Sequence, residues 1–367
     1  MRVYISTVYT PYYLIRKIIM KRYLSLILIF ILSISCSGND NTTPDLQPDP
    51  DLHIQQPYIV AYLPTWKMPY NVLWSKITHL CLAFGLVQSD GSLNTTEVTK
   101  YKSVIDDAHL NNVKVLLSVG GGGTTNFSSA ILNEKNRSRL VDNIVNAITA
   151  LVIDGVDIDF EEWEGGTGGA SSNDIVKRTA LEETYRLLRN KLGSKKIITA
   201  AVSGSWDNGG WGYYNCYNNT MHEYLDFVSL MIYDETGPWS GSNVGSHSSW
   251  NFYVNSINHW LKNRKLPKEK LIAGVPFYGY EFKSSNDATA ATSLSYADIL
   301  LKYSDQEAHL KDNIGLIYYD GIPTIEKKTK YAKENLLGGI MFWEITQDTY
   351  NIDKSLLETI YKTLKKD

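Results

Sequence analysis

Beyond residue 57 the chain alternates between short runs of Val, Ile and Leu and longer stretches whose apolar positions recur every three to four residues. The first pattern predicts strands buried on both faces, the second amphipathic helices. Strands are expected at 58–63, 77–87, 113–119, in the apolar run after Leu151, and at 197–203, 225–233, 271–277 and 339–345. Helices are expected between them at 96–110, 137–151, 174–192, 250–263, 296–303 and 327–335, with a last one at 356–364. In the second of these Leu140, Ile144, Ile148 and Leu151 fall on one face. Strands alternating with helices in this way predict an α/β fold, a (β/α)8 TIM barrel. No Gly-x-Gly-x-x-Gly turn follows the first strand to favour a doubly wound open sheet. On a barrel, functional side chains belong at the C-terminal ends of strands. Polar or aromatic residues stand at nearly all of those ends: Trp66, Ser118, Glu161, Ser203, Asp234, Tyr278 and Trp343.

The first 56 residues follow another pattern. Lys21 and Arg22 precede an apolar run at 24–34 that is too short for a mature membrane span, so residues 1–35 read as a signal peptide. Met20 stands directly before Lys21 and is an alternative start. The small residues before Cys36 are similar to a bacterial lipoprotein signal, which makes Cys36 the lipidated first residue of the mature chain. Residues 36–56 are rich in Asn, Asp, Pro and Thr and lack the apolar side chains to fold, as in a disordered tether. The expected location is the cell envelope, with residues 57–367 held to a membrane through the lipid.

The fourth strand brings in chemistry. Asp157, Asp159 and Glu161 are set at i, i+2 and i+4 in an apolar run, and side chains alternate across a strand, so the three acids share one face. Crowded, buried carboxyls resist ionisation, and one that stays protonated near neutral pH serves as a general acid. A calcium loop would be flexible and Gly/Asn-rich, whereas this segment is rich in Val and Ile. Asp154 and Phe160 have the opposite parity, and Glu162 and Glu164 fall in the loop beyond.

Composition narrows the partners. A net charge of −3 gives no electrostatic case for nucleic acid. Aromatic residues make up 12%, with 25 Tyr and 9 Trp, which suits stacking against the C–H faces of sugars. Cys81 lies in an expected strand and Cys216 in a polar loop, so neither a disulfide nor a metal site is expected, and no cofactor. Nothing points to an oligomer, and a monomer is expected.

Asp154-Gly-Val-Asp157-Ile-Asp159-Phe-Glu161 resembles the Asp-x-x-Asp-x-Asp-x-Glu signature of glycoside hydrolase family 18, the chitinase family. Ser118-Val-Gly120-Gly121, Met231-Ile-Tyr233-Asp234 and Trp343 are similar to further family motifs on the third, sixth and eighth strands. Phe160 stands where the family commonly has Trp. The resemblance implies retaining, substrate-assisted hydrolysis of an N-acetylglucosamine-containing oligo- or polysaccharide. It implies Glu161 as acid and base, Asp159 on the substrate's acetamido group, Asp157 sharing a proton with Asp159, and Tyr233 and Asp234 as hydrogen-bonding partners of the sugar. Trp343 becomes the floor under the ring, and Met231 and Gly121 belong to the binding motifs. Tyr62 and Tyr278 are candidate cleft-wall residues, and Trp66, Trp163, Trp211 and Trp239 candidates for outer subsites.

Three functions are compatible with these motifs. The first is cleavage of chitin or chitooligosaccharides, favoured by the Tyr233-Asp234 pair. The second is an endo-β-N-acetylglucosaminidase acting on N-glycan chitobiose cores. About 55 residues between the last two strands leave little room for the inserted α+β domain of processive chitinases, so a shallow cleft is expected. The third is a non-catalytic sugar-binding protein on the same barrel, against which the presence of Glu161 argues.

Overall fold

The Val/Ile/Leu runs form eight parallel strands: β1 (Tyr58–Pro64), β2 (His79–Val87), β3 (Lys114–Gly120), β4 (Gly155–Asp159), β5 (Ile197–Ser203), β6 (Phe227–Met231), β7 (Leu271–Pro276) and β8 (Gly339–Trp343). The computed structural model describes residues 56–365 apart from 69–71, 165–169, 206–212, 214 and 240. Each strand pairs with its neighbours in chain order, and β1 pairs with both β2 and β8, so the sheet closes on itself. Closure leaves the barrel wall without unpaired edges. The fold is the (β/α)8 barrel expected from the alternating pattern.

Strand parity sorts the side chains into two cores. Val60, Tyr62, Cys81, Leu116, Ala201, Phe227, Ile272 and Met341 pack inside the barrel. Ile59, Ala61, Leu63, Val156, Ile158 and Phe160 pack in the layer between the wall and the helices. Phe160 meets Phe127 and Trp163 edge-on at ring-centroid distances of 5.2 and 4.7 Å. Its burial contributes about 2 kcal/mol. On β4, Asp157 and Asp159 therefore point inward because Val156 and Ile158 belong to the outer layer.

The helix Glu134–Leu151 delivers the chain to β4. The Asn133 side chain caps it by accepting from the Asn136 N–H, and Leu140, Val141, Ile144, Ile148 and Leu151 line its buried face. The helix Ser172–Leu192 that follows β4 begins with a reciprocal capping box between Ser171 and Asp174.

Two expectations need correction. The helix expected over 96–110 is two, Thr96–Thr99 and Lys102–Leu110, because the buried Tyr101 breaks the run and its hydroxyl donates to the Lys67 carbonyl at 2.6 Å. The connection from β7 to β8, where only helices were expected, also contains short strands. It holds a small antiparallel sheet in the order Thr292–Ser295, Tyr278–Glu281, Ile317–Tyr318, Asn313–Ile314, with the helix Tyr296–Lys302. Strands of two to four residues are too short for alternation to stand out in sequence.

Candidate active site

The site is built on the C-terminal end of β4. Ser118 of β3 and Thr199 of β5 are in register with Asp157 on either side. Both hydroxyls donate to its carboxylate, Ser118 to Oδ2 at 2.8 Å and Thr199 to Oδ1 at 2.6 Å. The Tyr62 hydroxyl donates to Oδ2 from across the barrel, also at 2.8 Å. Burial raises the Asp157 carboxyl above its usual range, and the three hydroxyls act in the other direction. Tyr62 was expected in the cleft wall. It is only 2% exposed, and its hydroxyl is committed to Asp157 instead.

Asp159 is the most strongly perturbed acid of the row. Burial, then the charges of Glu161 and Asp157, hold its carboxyl well above the carboxylate range. Its side chain is hydrogen-bonded to Glu161, and its buried Oδ1 has no partner among the described residues. Glu161 lies one step further out, reachable by solvent at the barrel mouth. Desolvation by the cleft walls, then the charge of Asp234, pushes it up to about 7, while the hydrogen bond with Asp159 pulls the other way. The two carboxyls share a hydrogen bond, so a proton lost from one changes the affinity of the other.

The glycines of the Ser-x-Gly-Gly stretch explain how β3 ends so close to these acids. Gly120 has φ +113°, and a Cβ there would stand 2.1 Å from the Asp159 carbonyl oxygen. The Gly121 N–H donates to that same oxygen at 2.8 Å. Gly121 thus acts through its backbone, and it is Gly122 that faces the Glu161 carboxylate in the cleft.

The residues after Glu161 are clamped. Glu162 accepts the N–H groups of Phe127 and Ser128, at 2.7 and 2.8 Å, at the N-terminus of the helix Phe127–Leu132. Lys177 donates to the Glu162 carbonyl and the Glu164 carboxylate, both at 2.8 Å. The Trp163 indole donates to the Tyr217 hydroxyl at 3.0 Å. Glu162 and Glu164, read from sequence as loop residues, anchor the exit of β4 to its neighbours.

The opposite wall carries Tyr233 and Asp234. Burial, then the nearby acids, keeps the Tyr233 phenol protonated well beyond its ordinary range. Asp234 has a left-handed backbone, φ +65°, and its Oδ1 accepts from the Tyr278 hydroxyl at 2.6 Å and the Tyr280 hydroxyl at 3.0 Å. Tyr278 was expected to face ligand. Its ring does line the cleft, while its hydroxyl is bound to Asp234.

The resulting cleft has a volume of about 490 Å³. Trp343 forms part of its floor and stacks on Phe84 at 5.9 Å and 13°, and Trp66, 64% exposed, lies 6.2 Å beyond Phe84. Met231, Trp239 and the edge of the largely buried Trp163 also line it. A larger groove of about 630 Å³ on the helices at 127–132 and 172–192 contains no comparable cluster of acids and aromatic faces. No group of three or more His, Cys, Asp or Glu among the described residues is arranged to hold a metal ion. Trp211 and Cys36 lie outside the described residues. Phe84, Tyr213, Tyr280 and His247 were missed by sequence reasoning: Phe84 is one apolar residue inside an apolar strand, and the other three stand in loops or a strand too short to show a pattern.

The sequence profile of the family described as glycosyl hydrolases family 18 matches residues 58–348. A crystal structure of a chitinase from Bacteroides thetaiotaomicron superposes with a TM-score of 0.73 at 30% identity, covering 84% of this chain and 96% of that one. The class V chitinase CHIT5 of Lotus japonicus is 27% identical over 350 residues, 82% of this chain and 86% of its own length. A chitinase-like effector of Moniliophthora perniciosa is 28% identical over 266 residues, 67% of this chain, which spans 58% of that protein's length.

Proposed function

The chain belongs to glycosyl hydrolase family 18, and on that premise we propose that it hydrolyses β-1,4-linked N-acetylglucosamine in chitin or chitooligosaccharides by a retaining, substrate-assisted route. Glu161 protonates the glycosidic oxygen as the bond to the anomeric carbon breaks and its electron pair leaves with that oxygen. The acetamido carbonyl oxygen of the same sugar forms a bond to the anomeric carbon, giving an oxazolinium-like ring. Asp159 turns from Glu161 to the acetamido N–H, its proton passing to Asp157, and the resulting carboxylate stabilises the positive charge. Water then attacks the anomeric carbon, gives its proton to Glu161, and the acetamido group is released. Tyr233 and Asp234 grip the distorted sugar, and Trp343 supports its apolar face.

The observation that carries this reading is the state of the acid row. Asp157 is buried with its carboxylate occupied by three hydroxyls, and Asp159 is buried and hydrogen-bonded to Glu161, its carboxyl held well above the carboxylate range. Neither is available as a nucleophile, so the nucleophile comes with the substrate. Comparing chitotriose with cellotriose tests this. Cleavage of the first alone, with the β-anomer released first by NMR, is expected, and equal cleavage of both would sink the mechanism.

A second reading is cleavage of N-glycan chitobiose cores, favoured by the small size of the sheet between β7 and β8 as a cleft wall. Release of glycan from a high-mannose glycoprotein without chitotriose cleavage would select it. We further propose that the tether at 36–56 holds the barrel at the cell envelope through a lipid on Cys36. Incorporation of labelled palmitate that disappears in Cys36→Ala checks that placement.

A further inference from the structure

Asp234 is supported by groups that the proposed chemistry leaves unused. Besides the Tyr278 and Tyr280 hydroxyls, Nδ1 of His247 lies 3.2 Å from Asp234 Oδ1 and 3.4 Å from the Asp234 N–H nitrogen. Oδ2 takes no hydrogen bond from the described residues, although the Asp234 side chain is 42% exposed in the cleft. His247 is only 1% exposed. Its Nε2 is 3.1 Å from the Tyr278 carbonyl oxygen, which accepts only, so Nε2 carries a proton. Nδ1 is within reach of both polar groups of Asp234, accepting from the N–H when it lacks a proton and donating to Oδ1 when it carries one. The first of these bonds stabilises a left-handed backbone that a non-glycine residue adopts at a cost of about 1 kcal/mol.

The imidazole is itself held from behind. Ser248 donates to the Ile232 carbonyl at 2.6 Å and accepts from Lys328 at 2.7 Å. Lys328 is paired with Asp320 at 2.6 Å, and both are buried. Asp320 closely follows Tyr318, which is paired in the small sheet with Tyr280. One buried ion pair thus ties together the loop bearing His247 and the strand bearing both tyrosines. The titratable and charged groups around His247 are Asp234, Asp320, Tyr278, Tyr280 and Lys328.

We propose that His247 is a positioning residue for Asp234: anchored through Nε2 on the Tyr278 carbonyl, it holds the Asp234 backbone so that Oδ1 meets the two tyrosines and Oδ2 faces the bound sugar. This rests on the proposed role of Asp234 in gripping the substrate. Through Asp234 it also bears on Glu161, because the Asp234 charge adds to burial in raising that acid.

The test compares wild type with His247→Ala, His247→Asn and His247→Gln on chitotetraose. Each is measured for kcat, KM, melting temperature and the pH dependence of kcat/KM. His247→Ala is expected to lower kcat/KM about 10- to 100-fold, mainly in kcat, and to move the alkaline limb to lower pH. Asn can still meet the Asp234 N–H and is expected to recover more activity than Gln. An unmoved limb in His247→Ala, or equal losses in all three that follow melting temperature alone, would overturn the proposal. If the wild type cleaves no acetamido sugar, the proposed function fails, and the Asp234 amide then decides the positioning role by itself. Its exchange protection is expected to fall in His247→Ala and to be largely kept in His247→Asn, and an unchanged value in His247→Ala would refute it.

Discussion

Asp154 and Glu161 flank β4, and their carboxyl groups sit in opposite electrostatic settings. Burial alone would raise Asp154, but the Val115 N–H, Lys114 and His109, at 2.9, 3.0 and 2.9 Å, outweigh it and bring the carboxyl below its usual range. Among the described residues no cation is a hydrogen-bond or charge partner of Glu161, and it is raised by burial and Asp234. The same strand therefore ends in a stabilising acid on one side and a poised acid on the other. At the poised end the fold accepts a local cost in stability in return for a proton held near neutral pH.

The largest separation between the two ends is expected in activity. Glu161→Gln should lower kcat by about 10²- to 10⁴-fold while chitooligosaccharide binding persists by calorimetry. Asp154→Asn should leave kcat close to wild type, and a comparable loss there would break the comparison.

The next difference lies in pH. Activity that needs the Glu161 proton is expected to fall as pH rises through about 7. Stability carries the same sign. Glu161 binds a proton more tightly folded than unfolded, so between its usual value of 4.5 and about 7 the native state loses stability as pH rises. Glu161→Gln should remove that slope, raising the melting temperature more at pH 8 than at pH 5. A melting temperature that falls at pH 8 would contradict the desolvated acid.

The smallest effect belongs to Asp154. Its lowered value adds stability above the unfolded value of about 3.9, and this is lost as pH falls through the folded value. Asp154→Asn should cost about 1 kcal/mol at neutral pH, allowing for solvent screening, and nothing near pH 2. Denaturant titrations at the two pH values measure the difference.

Much of the barrel was legible because each strand carries its own short apolar run and each major helix its own apolar face. Parity along β4 was enough to place Asp157 and Asp159 together and to turn Phe160 outward. Tyr62 was legible as an inward residue near the site, but its partner Asp157 is 95 residues away and not readable from either segment. The small sheet between β7 and β8 was lost because its strands are so short. The capping of the helix Phe127–Leu132 by Glu162 joins segments 34 to 35 residues apart, and an acidic doublet in a loop carries no sign of it.

By itself, then, the sequence determined the element order, the inward face of β4 and the identity of its acids. Each of these follows from backbone geometry within a few residues. Only the tertiary structure decided where the proton sits and what holds Asp234. A carboxyl's affinity for protons depends on charges and excluded water within a few ångströms, and those neighbours come from β1, β3, β5, β6 and the segment after β7. His247 shows the same dependence most plainly: in the chain it is one histidine in a Gly/Ser-rich loop, and in the fold it meets both Asp234 and the carbonyl of Tyr278.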